Sequence, residues 1–295
     1  MNRVFQSHIA MLGFSILIAG SFSLGSMVAN DISPIALTAV RFVLAAFIVG
    51  SIALFSGSIA RKELTASWRY FVLGGTFSLY FILMFEGLKT ASPVSAVAVF
   101  TLIPAMSCWL GFVILGQMVS GRTLLAVVIG ATGSLWVVFR ADFLALTMSS
   151  VGRGELIYFV GCVAHAFMPI LFRGLNRGEN PVMVTFGLLV SGALILCLFG
   201  AGEIIQTDWK GLPSLVWITI FYVAVFATAV TSVCLQFASM HLPAANVMAY
   251  TYLTPTWVLL WEILLGHDMP PFWIWGGVLL TAVSVIVLLR ASLKN

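Results

Sequence analysis

The sequence predicts an all-α integral membrane protein, with about ten transmembrane helices in two inverted five-helix repeats. Three observations lead there. First, 61% of the 295 residues are hydrophobic and only 8% are charged, where a soluble domain carries roughly 25% charged residues. So little charge cannot clothe a water-soluble surface, and lipid must cover most of it. Second, the apolar residues come in runs long enough for helices that cross a bilayer, which takes about 20 residues each. Third, marks in the first half of the chain return in the second, about 150 residues further on.

The runs are expected at about 8–29, 34–56, 69–88, 93–115, 122–140, 154–174, 181–203, 212–239, 243–265 and 271–290. Several open on proline (Pro34, Pro93, Pro181, Pro243 and Pro271), which suits a first helical turn because that N–H has no intrahelical partner. Helices are required because lipid offers no partners to backbone polar groups, and the alternation of a barrel strand is missing. The apolar run after the short basic start is full span length and lacks a small-residue cleavage site, so it is expected to stay in the protein.

Orientation follows from Lys and Arg, which favour cytoplasmic loops. With a cytoplasmic N-terminus, nine of the 14 basic residues lie inside: Arg3, Arg61, Lys62, Arg69, Arg122, Arg173, Arg177, Arg290 and Lys294. Lys89, Arg140, Arg153 and Lys210 lie outside, and Arg41 sits within a span. Acidic residues, among them Asp31, Glu155, Glu203, Asp208 and Asp268, fall mostly outside. Both termini are therefore expected in the cytoplasm. The net charge of +4 needs no nucleic-acid partner.

The repeat is carried by particular residues. Leu115-Gly116-Gln117 aligns with Leu265-Gly266-His267, and at the same offset Ser134 meets Ser284 and Arg140 meets Arg290. Pro104 and Pro255 interrupt the middle of the preceding span, one residue out of that register. Five spans per half is an odd number, so the second half must enter the membrane upside down. The expected units are residues 1–145 and 146–295. Inverted repeats are a common secondary-transporter architecture, with the solute site between them near the midplane.

These marks resemble the drug/metabolite transporter superfamily, EamA family. The second span, Pro34–Phe42 (PIALTAVRF), is similar to that family's Pro…Arg-Phe signature, and Gly87–Ala96 (GLKTASPVSA) to its lead-in to the fourth span. Where the family often has Leu-Gly-Glu, this chain has Gln117 and His267, so no role is transferred to that glutamate. The resemblance implies a bacterial-type inner-membrane exporter of metabolites or amino acids. The branch most resembled is that of the aromatic amino acid exporters.

Candidate solute-binding residues are polar or aromatic groups on helical stripes. They are Tyr80 and Met84 in the third run, His165 in the sixth, Gln236 in the eighth, and Asn246, Tyr250 and Trp257 in the ninth. An amide, a phenol and an indole on one stripe suit a solute with an apolar body and polar ends. Polar stripes also glue helices together, and aromatic residues also sit in the interfacial belt, so each stripe has two readings. Arg41 lies seven residues into its run, ~10 Å deep. It binds a solute carboxylate, braces the fold against helix carbonyls or snorkels outward, and Glu262, near the outer end of the ninth run, is a candidate ion-pair partner for it. Pro104, Pro169 and Pro255 are the expected kink and gating positions.

Other functional classes find less support. His-Glu-x-x-His, Gly-x-Ser-x-Gly and the phosphate-binding Gly-x-x-x-x-Gly-Lys are missing, and the four histidines are scattered. No catalytic residue, metal or cofactor is therefore expected. The expected partners are membrane lipid and a small-molecule solute, an amino acid or similar metabolite, and a monomer suffices. A nucleotide-sugar or other carrier of the same superfamily is the alternative.

Overall fold

The computed structural model describes residues 3–57, 65–138, 152–266, 269 and 271–292. Arg61, Lys62, Arg140, His267, Asp268 and Lys294 lie outside that set. Every regular element among the described residues is helical. In chain order these are α1 (Arg3–Val28), α2 (Pro34–Phe55), α3 (Trp68–Leu88), α4 (Pro93–Phe100), α5 (Ile103–Leu115), α6 (Gly121–Val138) and α7 (Arg153–Leu175), followed by α8 (Pro181–Phe199), α9 (Ala201–Gln206), α10 (Ser214–Ala224), α11 (Thr231–His241), α12 (Ala244–Met248), α13 (Thr254–Leu264) and α14 (Ile274–Ser292). A π-helical stretch, Val225–Val230, joins α10 to α11, and a 3₁₀ stretch, Ala249–Leu253, joins α12 to α13. Among the described residues, eight helical segments are long and apolar enough to cross a membrane. The broken segment α12–α13 and the apolar α14 follow them.

Local chemistry accounts for the helix ends. Ser33, Ser92 and Asn180 each precede a proline and accept a hydrogen bond from an N–H of the first turn, of Ala36, Ser95 and Val182 respectively. These are N-caps followed by a proline whose fixed φ suits the first turn. Both Leu-Gly marks prove to be helix stops. Gly116 and Gly266 have φ of +62° and +92°, a region that a side chain disfavours. Gln117 then turns back, and its Oε1 accepts the N–H of Ala244 at 2.9 Å. The end of α5 is thereby fastened to the start of α12.

The mid-span prolines behave differently from one another. Pro104 and Pro255 each stand at the start of a resumed helix, α5 and α13, after a break. At Pro169 helix α7 continues without interruption, so the chain is not broken there. The break at Ala249–Leu253 exposes carbonyls that neighbours must satisfy. Ser134 Oγ donates to Tyr252 O at 2.7 Å, and Ser284 Oγ donates to Ala126 O at 2.6 Å. The two serines that align between halves thus both bond a backbone carbonyl across a helix interface. Ser134→Ala is expected to cost about 1 kcal/mol, read as a lower unfolding midpoint in detergent with the helical circular dichroism of the folded protein retained.

Packing joins distant parts of the chain. α3 lies against α7 and α8, α1 against α11 and α13, α2 against α8, α5 against α7 and α12, and α6 against α14. The outward faces are apolar: Phe47, Phe55, Leu198, Phe199, Phe221 and Leu279 are all exposed, as lipid contact requires. One end of the bundle gathers Asp31, Glu155, Glu203 and Asp208, with Ser33 donating to Glu203 and Ser95 to Glu155. The opposite end gathers Arg69, Arg173 and Arg177 with the start of α1. These are called the acidic and basic ends below.

Candidate functional site: a narrow hollow between two wider cavities

A small hollow lies among the helices. α1 contributes Phe14, Ile18, Ser21 and Phe22, and α3 contributes Phe77, Tyr80, Phe81 and Met84. Each set follows the three- and four-residue steps that put side chains on one helix face. Arg41 of α2, Phe100 of α4, His165 of α7, Ala227 of the π stretch and Thr231 of α11 complete the wall. The cavity measures about 10 Å³, room for a single water. The rings that line it fill it themselves.

Arg41 is fully buried. Its Nε donates to Thr228 Oγ1, and its Nη2 donates to Ala227 O at 2.8 Å. The guanidinium carbon lies 3.5 Å from the centre of the Phe81 ring, a cation–π contact in a buried setting. The widened π turn presents the Ala227 carbonyl to it, and such turns frequently mark functional positions. Nη1 has no hydrogen-bond partner. His165 is stacked on Tyr80, with ring centres 4.2 Å apart and planes at 22°, and lies nearly parallel to Phe77 and Phe100 about 6 Å away. Neither of its ring nitrogens has a hydrogen-bond partner. The Tyr80 hydroxyl lies 3.3 Å from that of Tyr158.

A wider cavity opens at each end of the bundle. At the basic end, about 260 Å³ is bounded by Val4, Ser120, Thr123, His241 and Asn246. At the acidic end, about 270 Å³ is bounded by Asp31, Ser33, Thr207 and Asp208. The basic end also carries a buried ion pair. Arg69 Nη2 lies 2.6 Å from Glu179 Oε1, with side-chain exposures of 5% and 4%. Arg69 Nη1 donates to Leu175 O at 2.6 Å, and the Arg177 N–H donates to Glu179 Oε2 at 2.6 Å. Burial works to raise the Glu179 carboxyl, but the bonds from Arg69 and Arg177 outweigh it and hold the group below its ordinary value.

The residues expected to bind solute divide into groups. Tyr80, Met84 and His165 line the hollow. Gln236 is fully buried on α11 without a hydrogen-bond partner for either amide atom, yet it is not part of that wall. Asn246 lines the basic-end cavity. Tyr250 and Trp257 instead pack on α1: Tyr250 Oη lies 2.9 Å from His8 Nδ1, and Trp257 Nε1 donates to Ser15 Oγ at 3.1 Å. His8, placed near a span end by the sequence, is buried. The expected pairing of Arg41 with Glu262 does not form, because Arg41 directs its bonds to α2's neighbour, the π stretch. Phe14, Ile18, Ser21 and Phe22 were not foreseen, although their spacing is a legible helical stripe. Among the described residues, no cluster of three His, Cys, Asp or Glu side chains is placed to hold a metal ion.

A profile of the EamA-like transporter family matches residues 6–139 and, a second time, residues 152–290. The chain belongs to the EamA-like transporter family. It is a multi-pass membrane protein, and the curated relatives it matches are named transporters. It is 27% identical to the uncharacterized transporter YyaM of Bacillus subtilis (strain 168) over 98% of this chain and 97% of that one. It is 31% identical to the uncharacterized transporter PA0485 of Pseudomonas aeruginosa over 42% of this chain and 44% of the relative. A crystal structure of 17% identity superposes with a TM-score of 0.76 over 98% of both chains, a likeness of fold alone.

Proposed function

We propose that this EamA-family transporter exports small metabolites, amino acids including aromatic ones, by alternating access. Ten spans in two inverted halves, residues 1–145 and 146–295, cross a bacterial-type inner membrane with both termini in the cytoplasm. The family profile matching twice supports that division. So does the packing: α3 with α7 mirrors α11 with α1, and α5 with α7 mirrors α13 with α1. The chain works as a monomer and needs no cofactor.

One observation carries the reading. A narrow hollow lined by flat rings, a cation and an imidazole lies between two much wider cavities, one at each end of the bundle. A carrier that alternates access narrows between a cavity on each side, with its solute site near the midplane. The broken segments α4–α5 and α12–α13 meet at the fastening of Gln117 to Ala244, where bending alters one half relative to the other. Tyr80, Met84 and His165 take the solute body. Gln236 and Asn246 serve the path toward the basic end. Tyr250 and Trp257 hold α1 to the ninth segment.

Proteoliposomes loaded with tryptophan, phenylalanine, threonine and a sugar nucleotide test this. Tryptophan and phenylalanine are expected to leave several-fold faster than from protein-free vesicles. Release of the sugar nucleotide alone would replace the amino-acid reading with the nucleotide-sugar one. Export is expected to run downhill, so an imposed pH gradient should drive little accumulation. Strong gradient-driven uptake would reject that.

A further inference from the structure

Charge inside the bundle is one-sided. Glu179 is committed to Arg69 at the basic end, and none of the described acidic residues lines the hollow. Arg41 does line it, fully buried, and no carboxylate stands against it. A cation held in a membrane interior without a counter-ion is costly, and such groups mark solute paths. Neutral oxygens satisfy Nε and Nη2, but Nη1 is left without a hydrogen-bond partner. The bracing contacts therefore use only part of the guanidinium.

A carboxylate is the group that completes it. Guanidinium nitrogens bind carboxylate oxygens through short, charge-assisted hydrogen bonds, far stronger in a dry site than in water. An ammonium group entering the same hollow would meet a fixed positive charge and no acidic partner. Resting on the reading of the hollow as the solute site, we infer that Arg41 anchors the carboxylate of the transported solute through Nη1. The carrier accordingly selects organic acids over organic amines, and an amino group on the solute is dispensable. The Phe81, Tyr80 and His165 faces hold the apolar body beside that anchor.

The test uses the full-length chain in liposomes loaded with 3-phenylpropanoate, phenylalanine, phenylalaninamide or 2-phenylethylamine, with leak from protein-free vesicles subtracted. The two acids are expected to leave at similar rates, at least about tenfold faster than the amide and the amine. Arg41→Gln should reduce that preference to within about threefold, and Arg41→Lys should keep part of it, because a single ammonium retains charge without the fork. Arg41 also braces the π stretch, so a measurement on the unaltered protein stands beside the variants. 3-Phenylpropanoate should raise its melting temperature, and 2-phenylethylamine should not. Amine or amide leaving as fast as the acids overturns the assignment while transport itself stands. If neither these four solutes nor those of the broader screen are released, the transport reading falls as well.

Discussion

Gly133→Leu is expected to yield a protein that does not survive detergent extraction as a folded monomer. α6 and α14 approach backbone to backbone at Gly133 and Gly277. A methyl group built on Gly133 would sit 2.8 Å from the Gly277 carbonyl oxygen, the Leu280 Cβ and the Thr281 nitrogen. Two of those atoms are main chain and cannot rotate aside. Even Gly133→Ala must push the helices apart, at about 1–3 kcal/mol. Leucine adds far more volume at a contact that small residues make possible in lipid. Gly13→Ala is the control, because nothing lies within 4 Å of a methyl group there. It should be neutral or stabilising by about 0.5–1 kcal/mol, since alanine favours the helix. Fluorescence-detected size exclusion after stepwise heating compares the three variants. Wild-type stability in Gly133→Leu would refute the close approach.

Glu179→Ala is expected to cost about 3–5 kcal/mol, because Arg69 would keep its burial and lose the carboxylate paired with it. Replacing both partners, as Arg69→Met with Glu179→Leu, should recover most of that loss, since two apolar groups need no counter-ion. A double-mutant cycle on unfolding midpoints isolates the coupling. The same pair sets a pH dependence. The folded protein holds the Glu179 carboxyl below its ordinary value, so its stabilising contribution is complete above the ordinary carboxylate range. It is lost only as pH falls through the lowered value. Stability of the unaltered protein at pH 5 should therefore match that at pH 7 as far as this pair is concerned. Glu179→Gln should remove the acid-side decline. A loss of stability on the alkaline side instead would contradict the assignment.

Much of the architecture was readable from residue types with a single physical meaning. Proline after a capping serine or asparagine starts a helix, glycine after leucine stops one, and Pro104 and Pro255 interrupt their spans for want of an N–H. The stripe Asn246–Tyr250–Trp257 is split between two surroundings, the basic-end cavity and α1, for an equally physical reason. It was placed by α-helical spacing, about 100° per residue, but Ala249–Leu253 is 3₁₀, about 120° per residue. Tyr250 is the second residue of that stretch and is turned little by it, whereas Trp257 follows the whole stretch and carries an offset of about 100°; both side chains meet α1. The π stretch was equally hidden, since Val225–Val230 carries no glycine or proline to announce it. Arg41 was legible as a depth and a charge, whereas its partners Ala227 and Thr228 lie more than 180 residues away in the chain.

That wide turn also gives the eighth segment a residue it could lose. A π turn accommodates one residue more than the α-helix would use. Removing one residue between Val225 and Val230 would let the helix close into ordinary geometry while the residues downstream keep their faces, because the wide turn is what absorbs the extra residue. Ser232, Gln236 and Ser239 would stay in the interior, and the change would fall on the turn itself, where the Ala227 carbonyl that steadies Arg41 would be drawn back into the helix. A three-nucleotide deletion here, silent in reading frame and in hydropathy, would thus act chiefly on Arg41 and leave the rest of the segment in place.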